Sequence, residues 1–400
     1  MKICMIASRH TLDDARVIHK EAISLKNSGF DVSVILHCNS GYVYENNDGS
    51  VIAKGIEPNG KCKYKGLTIF GFPKRKGFFG KWKTYKEISG FISTLNADVY
   101  HAHEPDLSLA IAIRAKKILK KKGKNAYVIH DMHEYPPGEP YDRAYGIMKY
   151  IKLYFHIILD KYFVKHVDHI FTANSIVRGY ILTLSYKKTV DVIYNGPILK
   201  LFPQTLPSQR EKNSKLILCH EGSLPFDRGL KELVKVIQKF KDSVELRIIG
   251  DVFGDEKIWL EKEINKHGLE NSIVKTGWLP YEKVGDSLKN CHIGLILFRD
   301  AMENRLAGPP NKLFNYMNAG IPVISVDFPE MRTIITEEEC GILIKDQSMS
   351  AIEDSIENIL KLDSSYLLQM GTNGQKAIKN RYSWEKMEKI IISTYSNFSD

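Results

Sequence analysis

Along the chain, short apolar runs alternate with longer stretches in which apolar residues recur every three or four positions. It opens on "KICMIAS", then the amphipathic "DARVIHKEAISLKNSG", then "DVSVILH". That order predicts strand, helix ending on Gly29, and strand. The first half continues with "DVYHAH", the helical "LSLAIAIRAKKILKK", and the strands "AYVIHD", "HIFTAN" and "VDVIYNG". Residues 38–72 are less regular and read as loops with short strands. The alternation then restarts with "KLILCHEG", a helix from Leu230, "VELRIIGD", a helix from Asp255, "SIVKTGW", a helix, "HIGLILF", another helix and "PVISV".

Continuous apolar strands separated by helices predict parallel sheets covered on both faces. The 400 residues exceed one ordinary core. We therefore expect an α/β fold of two Rossmann-like, doubly wound domains, with "NGPILKLFPQTLPSQREKNS" (195–214) as linker. The expected domains are 1–198 and 199–382, with a terminal helix, 383–400, packing back on the first. Two such domains facing each other would leave a cleft at the C-terminal ends of their strands, where ligands bind in these sheets.

One stretch is punctuated with particular care: "GPPNKLFNYMNAGIPVIS", residues 308–325. Pro309 and Pro310 suit a helix entry, Asn311 is placed to cap it, and Gly320 is placed to stop it. The strand "PVISV" follows.

Composition narrows the class. Hydrophobic residues make up 43% and charged residues 26%, as in a soluble enzyme. Six scattered cysteines without a Cys-x-x-Cys fit reduced thiols in a cytoplasm better than a disulfide frame or zinc site. The start has no signal-peptide layout, and no run reaches the roughly 20 apolar residues of a spanning helix. The nearest is "YGIMKYIKLYFHIILDKYFVKHV" (145–167), interrupted by Lys149, Lys152, His156, Asp160 and Lys161. It reads either as a buried helix of the first domain or as a membrane-facing amphipath.

The net charge of +10 is unevenly spread: residues 1–200 hold 31 Lys/Arg against 18 Asp/Glu, and residues 201–400 hold 26 against 29. The excess lies in "KRKGFFGKWKTYK" (74–86) and "RAKKILKKKGK" (114–124). Such mixtures suit an anionic bilayer surface or a solvated helix face. No nucleic-acid motif accompanies them, so we expect no nucleic-acid partner.

The candidate chemistry sits at strand ends. In "HEGSLPFDRGLKELVKVI" (220–237) a strand ends at Gly222, a turn carries Asp227 and Arg228, and a helix follows Gly229. Small residues, a helix N-terminus and Arg228 have the composition of a diphosphate cradle. "AGPPNK" would bring Lys312 to the same point, with Asn315 able to bond a ribose hydroxyl. In the first half, "VYHAHEPD" and "VIHDMHEYPPG" hold His101, His103, His130 and His133. Asp131, His133 and Glu134 resemble a metal cluster, but neighbouring strand residues point to opposite faces. Hydrogen-bonding roles are the expectation, and no metal or other cofactor.

With these motifs in hand, the chain resembles the retaining glycosyltransferases of the GT-B type, in particular family four ("group 1"). The resemblance spans nearly the whole chain, through "DDARVIHKEAISLKNSGFDVSVI", "DVYHAHEPDLSLA", "IHDMHEYPP", "IFTANSIV", "VIYNGP", "HEGSLPFDRGL", "RIIGD", "TGWLP", "NKLFNYMNAGIPVIS" and "YSWE". It implies a nucleoside-diphosphate sugar, UDP by family frequency, in the C-terminal domain and an acceptor in the N-terminal one. Donor contacts would come from Gly222, Ser223, Arg228, Gly308, Asn311, Lys312, Leu313 and Asn315. Catalysis would rest on Arg228, Lys312 and His133, while His10, Arg16 and His103 would lie on the acceptor side.

The chain departs from the family in three places. Ser223 stands at the usual first basic position, Arg228 at the usual Lys, and Ala307 and Asn315 at the usual Glu-x7-Glu pair, with Glu303 close to the first. The implied acceptor is a saccharide or lipid-linked saccharide at the inner membrane face, in bacterial surface-polysaccharide assembly. Rival readings are a sugar-nucleotide 2-epimerase of the same fold and a non-catalytic sugar-nucleotide-binding subunit. A nicotinamide dehydrogenase is disfavoured, since no GxGxxG follows the early strands.

Overall fold

A computed structural model of the chain describes all residues except 40, 46–49, 57–58, 74, 76, 105–106, 208–213 and 399–400, and no side chain at 78, 81, 281 or 282. Parts of the 74–86 basic stretch, of "VYHAHEPD" and of the expected linker therefore lie outside the described residues. The chain divides into two compact units: residues 1–194 with 387–400, and residues 195–386.

Among the described residues, the first unit holds ten strands. In chain order they are β1 (Lys2–Ala7), β2 (Asp31–Cys38), the short antiparallel pair β3 (Val43–Glu45) and β4 (Val51–Lys54), β5 (Cys62–Tyr64), β6 (Leu67–Pro73), β7 (Val99–His103), β8 (Tyr127–Met132), β9 (His169–Thr172) and β10 (Val190–Val192). All but β3 and β4 join one sheet in the order β10-β9-β8-β7-β1-β2-β6-β5. Its strands are parallel apart from β5. β6 corrects the sequence expectation for residues 38–72. "LTIFGFP" pairs with β2 from Ser33–Thr68 to Cys38–Pro73 and is largely buried, a full sheet strand.

The first helix departs from ordinary α geometry. Asp14 caps it, its carboxylate accepting from the N–H groups of Arg16 and Val17 at 2.9 and 2.8 Å. Residues Ala15–Ala22 then wind as a wide π-helix before an α-helical turn, Ile23–Asn27. In a π-helix, residues five apart stack on successive turns. That brings the Arg16 Nε to 2.9 Å from Glu21 Oε1, with both side chains buried.

The second unit carries β11 (Leu216–Glu221), β12 (Val244–Ile249), β13 (Ile273–Lys275), β14 (Ile293–Ile296), β15 (Val323–Val326) and β16 (Gly341–Ile344). They form a parallel sheet in the order β13-β12-β11-β14-β15-β16. Helix Leu230–Lys239 shows why such segments fold onto it. Its Leu230, Leu233, Val236 and Ile237 are fully buried, each contributing roughly 2 kcal/mol of apolar transfer.

The strand orders place both switch points. The first unit reverses direction between β1 and β7, and the second between β11 and β14. In open α/β sheets, ligands bind beyond the strand ends at such points.

Helix Asn311–Ala319 has the length its punctuation predicts, ending at Gly320 with φ 71°. The cap differs from expectation: Pro310 occupies it in an extended conformation, and Asn311 is the first helical residue. The Asn311 Oδ1 instead accepts from Asn195 Nδ2 at 2.6 Å. A proline cap offers no side-chain acceptor, and none caps this helix.

Residues 387–400 belong to the first unit, and the Tyr395 hydroxyl is hydrogen-bonded to His101 Nδ1 at 2.7 Å. Among the described residues, no helix is long and apolar enough to cross a membrane.

Candidate active site

In the second unit, the helix 311–319 is clamped to the end of β11 by three residues on one face. Lys312 Nζ lies 2.9 Å from His220 Nε2. Asn315 Nδ2 donates to Glu221 Oε1 at 2.7 Å. The Tyr316 hydroxyl accepts from the Glu221 N–H at 2.7 Å. Tyr316 reaches that point because β14 carries Gly294, where an added Cβ would fall 2.3 Å from the tyrosine ring.

Arg228 ends the turn Phe226–Arg228 that precedes helix Leu230–Lys239. Its Nη1 donates to the Ser223 carbonyl at 3.4 Å, and its guanidinium lies 5.5 Å from the centre of the Phe298 ring, just past β14. The loop after β14 is tied to the same turn, Arg299 N–H donating to Asp227 O at 3.0 Å. The two loops flanking the β11/β14 switch point are thereby knitted together.

The electrostatics of this cluster are strained in one direction. Burial, and next the charge of Arg228, push Lys312 down to about 7. Burial and the Lys312 charge hold His220 well below its usual range, so it is neutral and accepts from the ammonium. Two basic groups held close enough to repel, one of them buried, are the electrostatic signature of an anion site.

Glu221 was not anticipated: as the last residue of an apolar strand it reads as solvent-facing. Its carboxylate nevertheless meets Asn315, the residue at the family's glutamate position, and raises the Lys312 pKa against burial and Arg228. The helix position lacks an acid, and the strand end supplies one.

Several anticipated donor contacts take other roles. The Gly222 N–H donates to Ile249 O at 2.8 Å, so it is spent within the sheet. Leu313 is fully buried with its N–H donating to Pro310 O at 2.9 Å. Ser223 contributes its carbonyl to Arg228. Ala307 and Gly308 lie between helix Met302–Leu306, which holds Glu303, and the helix at 311.

In the first unit, a buried charge network occupies the β1/β7 switch point. The Arg16 guanidinium makes a fork to Asp131, Nε to Oδ2 at 2.9 Å and Nη2 to Oδ1 at 2.8 Å, and donates to Ile193 O at 2.8 Å. This corrects the acceptor-side expectation for Arg16: it is buried inside the unit and fully engaged, and it anchors β8 rather than lining a surface. His103 is buried too, its Nδ1 3.4 Å from His133 Nε2, which places it behind His133.

His133 is the ring that reaches outward. Its Nε2 lies 2.8 Å from Asp131 Oδ2 and its Nδ1 3.1 Å from Glu104 Oε1. Burial opposes the charged ring, but Asp131 and Glu104 overcome it and push His133 up to about 10. His10 stands beside it, ring centroids 5.1 Å apart, with its Nδ1 2.9 Å from Asp14. Burial drives His103 and His130 down to about 4, leaving them neutral.

The expectation that strand alternation separates these groups applies to adjacent residues only. Residues two apart share a face, so His101 with His103, and Asp131 with His133, converge. Ligand atoms of Glu21, His101, His103 and Asp131 lie within 4.8 Å of one another, as do those of His10, Glu104 and His133. In the first group Arg16 already supplies a cation to both carboxylates, and burial with Asp131 nearby raises Glu21 well above its usual range.

The family described as Glycosyltransferase Family 4 matches residues 15–198, and that described as Glycosyl transferases group 1 matches residues 203–377. An uncharacterized glycosyltransferase of Methanocaldococcus jannaschii is 23% identical over 218 residues, 52% of this chain and 53% of that protein. The match thus spans about half the length of that curated relative. Among solved structures, sucrose-phosphate synthase from Thermosynechococcus elongatus superposes with a TM-score of 0.74 at 15% identity, covering 99% of this chain and 98% of the other. HepE of Anabaena, solved in complex with UDP, gives 0.71 at 13%, covering 99% and 100%. At such identities the structures speak for the fold, which is GT-B. With both family matches in chain order over both units, the chain belongs to the GT-B glycosyltransferases of group 1, family four.

Proposed function

We propose that the protein is a retaining glycosyltransferase that moves a sugar from a UDP-sugar to a hydroxyl of a saccharide or lipid-linked saccharide, in bacterial surface-polysaccharide assembly in the cytoplasm at the inner membrane face. The observation that carries the reading is the pairing of Arg228 with a half-neutralised Lys312 beside the N-terminus of helix 311–319, at a switch point. A diphosphate satisfies both cations at once. HepE of Anabaena, of the same fold, binds UDP and UDP-glucose.

In the reaction, the acceptor oxygen bonds to the anomeric carbon on the face from which the diphosphate departs. The bond from that carbon to the phosphate oxygen breaks with its electron pair on phosphate, and the departing oxygen takes the acceptor proton. Arg228, Lys312 and the helix N-terminus stabilise the charge that develops on the leaving group. These are side-chain and backbone charges, so the step needs no metal. Asn315 and Glu221 together address the ribose hydroxyls, the amide donating and the carboxylate accepting. His133, held as an imidazolium, is assigned to the sugar or its phosphate, with His10 beside it on the acceptor side.

The test is transfer from a panel of radiolabelled nucleotide sugars into saccharide and lipid extracts, by the full chain and by Arg228→Ala. The variant is expected to lose more than about tenfold in rate, a barrier change above about 1.4 kcal/mol. Equal rates would remove Arg228 from the mechanism.

A further inference from the structure

The helix Met148–His166 has its polarity the wrong way round for an ordinary surface helix. Its inward face meets the helices Gly138–Asp142 and Ser175–Leu184 and buries Asp160 and Val164. Asp160 is the helix's one acidic residue, and its carboxylate accepts from the Tyr180 hydroxyl at 2.7 Å. The outward face is apolar: Ile147 just before the helix is 74% exposed, Tyr154 65%, Phe155 62% and Ile158 68%. Ile151 and Tyr162 continue the same stripe at helical spacing. This overturns the reading of 145–167 as a buried helix. A contiguous stripe of this length is uncommon on a protein that meets only water.

Charge at the end of the stripe indicates what covers it. Lys165 shares a surface depression with Lys116, Lys117 and Lys120 of helix Leu107–Lys121, and with Lys188. Asp168 offsets part of this charge, pairing with Lys116 at 2.6 Å. Lys161 is on the outward side as well. An apolar stripe leading into a cluster where five lysines outnumber one acid, Asp168, matches the two layers of an anionic leaflet: acyl chains for the stripe, headgroup phosphates for the amines. The helix cannot cross a bilayer, which leaves it lying along the surface.

We infer that helix Met148–His166 and the lysine cluster at its C-terminal end form a docking surface for an anionic lipid bilayer, inserting Ile147, Ile151, Tyr154, Phe155 and Ile158 among the acyl chains. The inference names the surface that serves a lipid-linked acceptor, and so rests on that part of the proposed function. It is measured without donor or acceptor, so loss of transfer and loss of docking are separate results.

The experiment is flotation of the full chain with phosphatidylcholine vesicles, with and without phosphatidylglycerol, alongside light scattering of the protein alone. The protein should float with the anionic vesicles only. A variant with Ile151→Ser, Tyr154→Ser, Phe155→Ser and Ile158→Ser should stay at the bottom with an unchanged circular dichroism spectrum, since all four side chains are exposed. Lys117→Gln with Lys120→Gln and Lys165→Gln should weaken partitioning on the order of a hundredfold. Ile158→Trp, a substitution at one exposed position, should show blue-shifted emission quenched by brominated lipid. No flotation at low salt, equal flotation of the serine variant, or unshifted tryptophan emission would overturn the inference. So would a wild-type dimer that the serine variant converts to monomer while flotation is unchanged, because the stripe would then belong to a second copy.

Discussion

Binding of a diphosphate should draw a proton onto Lys312. Burial and Arg228 hold this amine at about 7, against about 10.4 for a free lysine. At pH 8, one unit above that value, about a tenth of the molecules carry the proton. A diphosphate between Lys312 and Arg228 reverses the repulsion and returns the amine toward its free value, so nearly all bound molecules are protonated. The difference is about nine-tenths of a proton taken up per UDP bound at pH 8. Below pH 6 the amine is already charged and its share falls toward zero. Titration calorimetry of UDP in two buffers of different ionisation enthalpy reads this number directly from the difference in apparent heats. Lys312→Met should abolish the uptake at pH 8 while Arg228 retains some affinity. Uptake near zero in the wild type at pH 8, or equal uptake in wild type and Lys312→Met, would refute the reasoning.

Other consequences are as specific. Arg16→Met leaves Asp131 buried without its main cation and should cost about 3–5 kcal/mol in urea unfolding; a loss under about 1 kcal/mol would show that His133 alone suffices. The charged His133 lends stability that is fully present below about pH 6.5 and is lost as pH rises through about 10. Lys312 acts in the opposite sense, adding stability as pH rises from about 7. The informative quantity is therefore wild type minus His133→Gln, which should shrink from pH 6 to pH 10; a constant difference would contradict the assignment. Glu221→Gln should weaken UDP binding roughly tenfold while uracil-free pyrophosphate binds as before; an equal loss for both ligands would place Glu221 at the phosphates instead.

Much of this architecture is visible in local sequence, and the exceptions share a cause. The strands β1, β2, β7, β8, β11, β12 and β15 are short apolar runs between helical periodicities, and prolines and Gly320 bound the helix 311–319, so one-dimensional pattern finds them. Arg228 and Lys312 stand out as basic residues beside helix starts. What pattern misses is pairing at a distance. β6 becomes a sheet strand only because β2 lies beside it. Arg16 looks like a surface cation until Asp131, 115 residues away, is seen to take its fork. Glu221 gains its role from Asn315, 94 residues on. Helix Met148–His166 is apolar on several sides, and periodicity cannot say which side meets protein. Ala15–Ala22 has helical spacing that does not distinguish five-residue stacking from four.

The most direct test is a crystal structure of the chain grown with UDP. The account predicts the diphosphate between the Arg228 guanidinium and the Lys312 ammonium, with the ribose hydroxyls against Glu221 and Asn315. A diphosphate bound elsewhere, with Arg228 still stacked toward Phe298 and Lys312 still on His220, would contradict it.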